Sequence, residues 1–226
     1  MKSALYRPDG KPEGLFVFLH GYASGPDYLA GFLEPFLKAG FLVLTPTAPD
    51  HGERNPGASY PTLEEPEALM QHAGEVIATW VAELAEALPR WQAEYGLPLF
   101  AGGFSMGAYV WHELISRKLA RPVASALFGL GAIPNVAMPE EAELPIHRAE
   151  AYPPTALLQI HGEADPIVPL KLVEKTIAAL RPAYAPYPGR LGLLAVASAG
   201  HELTLGMTAA GAGWLSAWRE DEPPAT

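Results

Sequence analysis

Cysteine is absent from all 226 residues of the chain. This excludes disulfides, thiolate metal sites and a cysteine nucleophile, and it leaves the redox compartment undecided. Positive charge is scarce as well: 15 Lys and Arg stand against 25 Asp and Glu, a formal net charge of −10 at pH 7. No Lys/Arg cluster offsets that balance, so nucleic-acid phosphates and anionic membrane surfaces should be repelled. Residues 1–10 hold no apolar stretch of the secretory-signal kind. The longest uncharged run, residues 122–139, contains three prolines and reads as a buried strand followed by a loop, not a membrane span. The histidines are scattered without paired ligand spacing, and no Gly-x-Gly-x-x-Gly follows a strand, so no metal and no cofactor is implied. The expectation is a cytoplasmic protein with neither a nucleic-acid nor a membrane partner. Homo-oligomer formation stays open.

Hydrophobic residues at 49% and charged residues at 18% suit a globular chain. The length favours one domain, with 14–218 as its core and a short flexible tail over 220–226. Short apolar runs at 15–19, 41–44, 97–101, 123–128, 156–160 and 191–196 are apolar nearly throughout instead of alternating, as strands buried on both faces require. The intervening segments have helical spacing. Val76, Ile77, Trp80, Val81, Leu84, Leu88 and Trp91 form one stripe within 67–95, and Leu172, Val173, Ile177 and Leu180 form another within 170–180. A last helix over 203–218 is weakened by Gly206, Gly211 and Gly213. Strands alternating with helices predict a single-domain α/β fold: a mostly parallel sheet of about 6–8 strands, helices on both faces and no large lid domain. Ligands then bind beyond the carboxyl ends of the strands.

Three residues meet that condition. Ser105 lies in Gly103-Phe104-Ser105-Met106-Gly107, after one strand and before a helical stretch over 108–119. A strained turn there lifts the hydroxyl clear of the sheet, and the flanking positions must be very small. Asp165 follows the strand at 156–160, and His201 follows the strand at 191–196. Serine needs a base. A histidine with an ordinary pKa near 6.5 can take the proton and return it, while a carboxylate orients the ring. Glu163 is the rival acid and reads as a solvated loop residue. His161 reads as a packed, hydrogen-bonded histidine, and His72, His112 and His147 as structural or surface residues. His51 follows a strand but precedes the serine, which favours a structural loop role. The loop His20-Gly21-Tyr22 after the first strong strand is placed to give a second oxyanion donor, making the Tyr22 and Met106 backbone N–H groups the candidates. His20, Gly21, Gly103, Phe104 and Gly107 are expected to complete the motif and line the substrate.

Together, Leu19-His20-Gly21, residues 49–54 (Pro-Asp-His-Gly-Glu-Arg), the Ser105 pentapeptide, His161-Gly162-x-x-Asp165-x-x-Val168-Pro169 and Gly200-His201 resemble the dienelactone-hydrolase-like and carboxylesterase/phospholipase-like α/β-hydrolases. The likeness spans 14–218. It implies a serine-dependent carboxylic-ester hydrolase acting on a small-molecule ester through an acyl-enzyme. Two positions depart from the pattern. Dienelactone hydrolases use a cysteine nucleophile where this chain has Ser105, and the carboxylesterase branch commonly has Gln where this chain has Met106. The 27 residues between Phe128 and Ala156 allow a short flap, which favours small to medium acyl esters in an open cleft. A peptidase or amidase using the same triad, and a non-catalytic binding protein on a hydrolase scaffold, remain as alternatives.

Overall fold

The computed structural model describes residues 2–55, 57–134 and 143–221. Of the expected tail, residues 222–226 lie outside the described residues, as do 135–142 of the expected flap. The strands are β1 (Ser3–Tyr6), β2 (Gly14–Leu19), β3 (Phe41–Pro46), β4 (Leu99–Phe104), β5 (Ala124–Phe128), β6 (Ala156–Gly162) and β7 (Leu191–Val196). The helices are α1 (Pro26–Ala30), α2 (Glu34–Lys38), α3 (Pro66–Tyr95), α4 (Met106–Ser116), α5 (Leu170–Leu180) and α6 (Leu205–Ala217). One sheet forms in the order β1-β3-β2-β4-β5-β6-β7. It is parallel from β3 through β7, with β1 antiparallel at one edge.

Every residue of β2 through β6 is buried, because helices cover both faces. Alternate side chains of β2 serve opposite cores. Leu15, Val17 and Leu19 pack with Trp80 and Leu84 of α3 and Trp111 of α4. Phe16 and Phe18 pack on the other face with Phe36 of α2 and Met207 and Leu215 of α6.

Three expectations shift. β1 has no counterpart among the apolar runs, because an edge strand with alternating, half-exposed residues needs none. β4 runs on to Phe104 through two glycines that pair with both neighbouring strands. A Cβ on Gly102 would lie 2.2 Å from the Phe16 ring, so this strand position needs glycine for close approach. α6 forms despite its glycines. Thr204 caps it by accepting the Met207 N–H at 3.2 Å, and Gly211 lets the helix meet β5, where a Cβ would come within 2.8 Å of Phe128.

The sheet order reverses at β2, whose sequence neighbour β3 lies on one side and β4 on the other. The crevice beyond the carboxyl ends of β2 and β4 is therefore the switch point where such sheets bind ligands.

Candidate active site

Ser105 stands between β4 and α4 with φ 52° and ψ −117°. A left-handed φ is costly for a residue with a side chain, and the surrounding packing enforces it. A Cβ on Gly103 would sit 2.4 Å from the Gly107 backbone, and one on Gly107 would sit 2.3 Å from the Leu19 carbonyl oxygen. Glycine at both positions lets α4 start directly against β2 and β4, which aims the hydroxyl out of the crevice.

The other two candidate residues meet it there. His201 Nε2 is 2.9 Å from Ser105 Oγ, and His201 Nδ1 is 2.7 Å from Asp165 Oδ2. The Asp165 side chain is fully buried. Its Oδ1 accepts the Ile167 and Val168 backbone N–H groups, each at 2.8 Å, which fixes the carboxylate in place. The loops carrying Asp165 and His201 are locked together: a Cβ on Gly162 would lie 2.3 Å from the Ala199 carbonyl oxygen. Phe104 packs its ring 5.1 Å from that of His201, and the Tyr28 hydroxyl accepts the Leu203 N–H at 3.3 Å.

Among the described residues, neither the Tyr22 nor the Met106 backbone N–H donates to a protein acceptor. The loop that carries Tyr22 is held by two histidines. His20 donates from Nδ1 to the Gly21 carbonyl at 2.8 Å and accepts the Ala48 N–H on Nε2 at 3.1 Å. His51 donates from Nδ1 to the Pro49 carbonyl at 2.7 Å and accepts the Ala23 N–H on Nε2 at 3.0 Å. Each ring therefore spans two loops as the neutral tautomer. Burial lowers the pKa of both, that of His20 to about 4. Ala23 itself has φ 52°, so the His51 bond secures a turn that alanine adopts only reluctantly. The Tyr22 phenol, pushed up in pKa by burial and then by Tyr60, is 2.7 Å from His72 Nδ1.

The remaining candidates resolve simply. Glu163 is exposed, and His201 turns to Asp165 instead. His161 is buried and donates to the Val168 carbonyl at 2.8 Å. His112 is buried between Tyr152 and Gln159. Among the described residues, no group of three His, Cys, Asp or Glu side chains is placed to hold a metal ion. No helix there is long and apolar enough to cross a membrane.

Ser105 and His201 open on a cleft of about 910 Å³. None of the five residues expected to line the substrate borders it, and each has a reason. Gly103 and Gly107 are consumed in the contact between strand and helix, and Gly21 packs on Phe104. Phe104 lies under His201, and His20 is fully buried with its ring 5.1 Å from that of Trp80. These residues build the frame and do not form the wall. The wall comes instead from Tyr60, Leu63 and the first turns of α3, which sequence patterning did not single out. The apolar stripe of that helix begins at Val76, and the exposed turns before it carry no packing signal.

No protein-family model matches the sequence. The crystal structure of TT1662 from Thermus thermophilus superposes with a TM-score of 0.85 and 32% identity, over 97% of this chain and 94% of that one. This chain belongs to the α/β-hydrolases. Esterase YjfP of Escherichia coli (strain K12) is 27% identical over 126 residues, covering 56% of this α/β-hydrolase and 49% of YjfP, so the match spans about half the length of that relative. Zea mays acyl-protein thioesterase 2 shares the fold at 19% identity and a TM-score of 0.66, over 96% of this chain and 99% of that one.

Proposed function

We propose that this α/β-hydrolase is a serine esterase, a single domain that cleaves carboxylic esters with small to medium acyl groups. The reading rests on one observation above all: the Ser105 hydroxyl lies 2.9 Å from His201 Nε2, whose other ring nitrogen is 2.7 Å from the buried Asp165 carboxylate. In this mechanism His201 takes the Ser105 proton as Oγ bonds to the ester carbonyl carbon. The carbonyl oxygen becomes an oxyanion, held by the Tyr22 and Met106 N–H groups. Asp165 stabilises the imidazolium without taking its proton. The C–O bond to the alcohol then breaks, and His201 Nε2–H protonates the departing oxygen, which leaves an acyl-Ser105. Water, deprotonated by His201, attacks the acyl carbon, and that proton passes from His201 to Ser105 Oγ as the C–O bond breaks and the carboxylic acid leaves. Both half-reactions use one base and one oxyanion pocket.

Replacement of serine removes the nucleophile and nothing else in the frame. Ser105→Ala should lower kcat for p-nitrophenyl acetate by about 10⁶-fold if the three residues act as a unit. Near-wild-type turnover by purified Ser105→Ala protein would overturn the assignment, as would failure of a fluorophosphonate probe to label Ser105 in the folded wild type.

A further inference from the structure

The cleft has a direction that hydrolysis alone does not explain. Its floor is one face of α4 and its C-cap: Met106, Tyr109, Glu113 and Arg117 recur at intervals of three and four residues beyond Ser105. Its roof is one face of α3, through Met70, Gly74, Ile77 and Val81 at the same spacing. Both faces line the cleft on which Ser105 opens.

The near and far ends differ in chemistry. The apolar part of the lining includes Met106 and Val81, both buried, and Ile77, half-buried. At the far end, the buried Glu113 carboxylate accepts Arg117 Nε at 2.7 Å and lies 3.4 Å from Arg148 Nη2. Arg148 in turn pairs with Glu143 at 2.8 Å. An apolar chain that reached this network would strip water from matched charges without replacing any bond, which is unfavourable. The network therefore ends the apolar path.

We infer that the groove is a ruler for an unbranched, uncharged acyl chain, lying along α4 from Ser105 to the Glu113 ion pairs. Eight helical residues separate the two, which is about 12 Å at ~1.5 Å per residue. With C–C bonds of ~1.5 Å and near-tetrahedral angles, an extended chain advances about 1.25 Å per carbon, so the path holds about ten carbons. The inference deepens the ester-hydrolase reading, which supplies the identity of the bound chain as the acyl half of the substrate.

Binding of C4 to C16 straight-chain carboxylates to the full-length protein, measured by calorimetry, tests the ruler without requiring turnover. Affinity should rise about three- to fourfold per added methylene up to about C10 and then level off. Ile77→Trp should fill the groove part-way, move the break to shorter chains and cut the C10-to-C4 affinity ratio at least tenfold. Gly74→Phe gives a second block at an exposed site where an added Cβ meets nothing within 4 Å, which keeps the test decisive should the tryptophan variant fail to fold. Affinity that is flat in chain length, that climbs unbroken to C16, or that keeps its profile in both variants would overturn the ruler. The same series of p-nitrophenyl esters separates the two readings. Ester turnover with no chain-length dependence in binding removes the ruler and leaves the esterase. Length-dependent binding without turnover at any length removes the esterase and leaves the ruler.

Discussion

At Ser105, backbone conformation and chemistry compete. A φ of 52° costs a side-chain-bearing residue on the order of 1–3 kcal/mol, and the Gly103 and Gly107 contacts leave the chain no relaxed alternative. Alanine inherits that strain, whereas glycine adopts positive φ freely and loses only some backbone entropy. Ser105→Gly should therefore be more stable than Ser105→Ala by about 1 kcal/mol in urea unfolding, with both inactive. Equal stability of the two would mean that no strain is stored at Ser105. The same scale explains why Ser105, Asp165 and His201 can be picked out from sequence: each is a chemically distinctive residue directly following an apolar strand. His20 and His51 cannot be read that way. Their function is to accept the N–H of a residue 28 positions away, and nothing local in the sequence marks that partnership.

Among the elements, α3 carries two roles in one helix. From Val76 onward its apolar stripe enters the core, and this half is legible in the residue spacing. Its first turns overhang the cleft, and Gly74 sits among them, exposed, with open space around an added Cβ. Glycine within a helix costs roughly 0.5–1 kcal/mol relative to alanine, so Gly74→Ala should raise stability by that amount. A lower melting temperature for Gly74→Ala would show that the backbone there needs glycine. The strands divide the same way. β2 to β6 declare themselves by continuous hydrophobicity because both faces are buried, while half-exposed β1 does not. The glycines of α6 lower its helical propensity, yet tertiary packing against Phe128 outweighs them.

Across the whole molecule, buried neutral histidines set the response to acid. Burial holds His20 at a pKa of about 4 and His112 at about 3, against 6.5 for an unburied histidine. Between those values the unfolded chain binds protons that the folded chain refuses, so stability is complete above pH ~6.5 and falls as pH drops towards 4 and 3. At pH 5 each histidine should have cost about 2 kcal/mol relative to neutral pH. The urea midpoint should thus be clearly lower at pH 5 than at pH 7, and His112→Gln should flatten part of the difference, with His20 and His51 carrying the rest. An unchanged midpoint in the parent protein would exclude the two rings as the acid-sensitive elements. The division of labour within α3 has a consequence for how this protein can change. Residues of the turns over 67–74 line the cleft while exposed or half-buried, whereas Ile77 and Val81 line it and also pack with the core. Libraries randomised over 67–74 should therefore change which molecules the cleft takes with little loss of fold, and drift over generations should do the same.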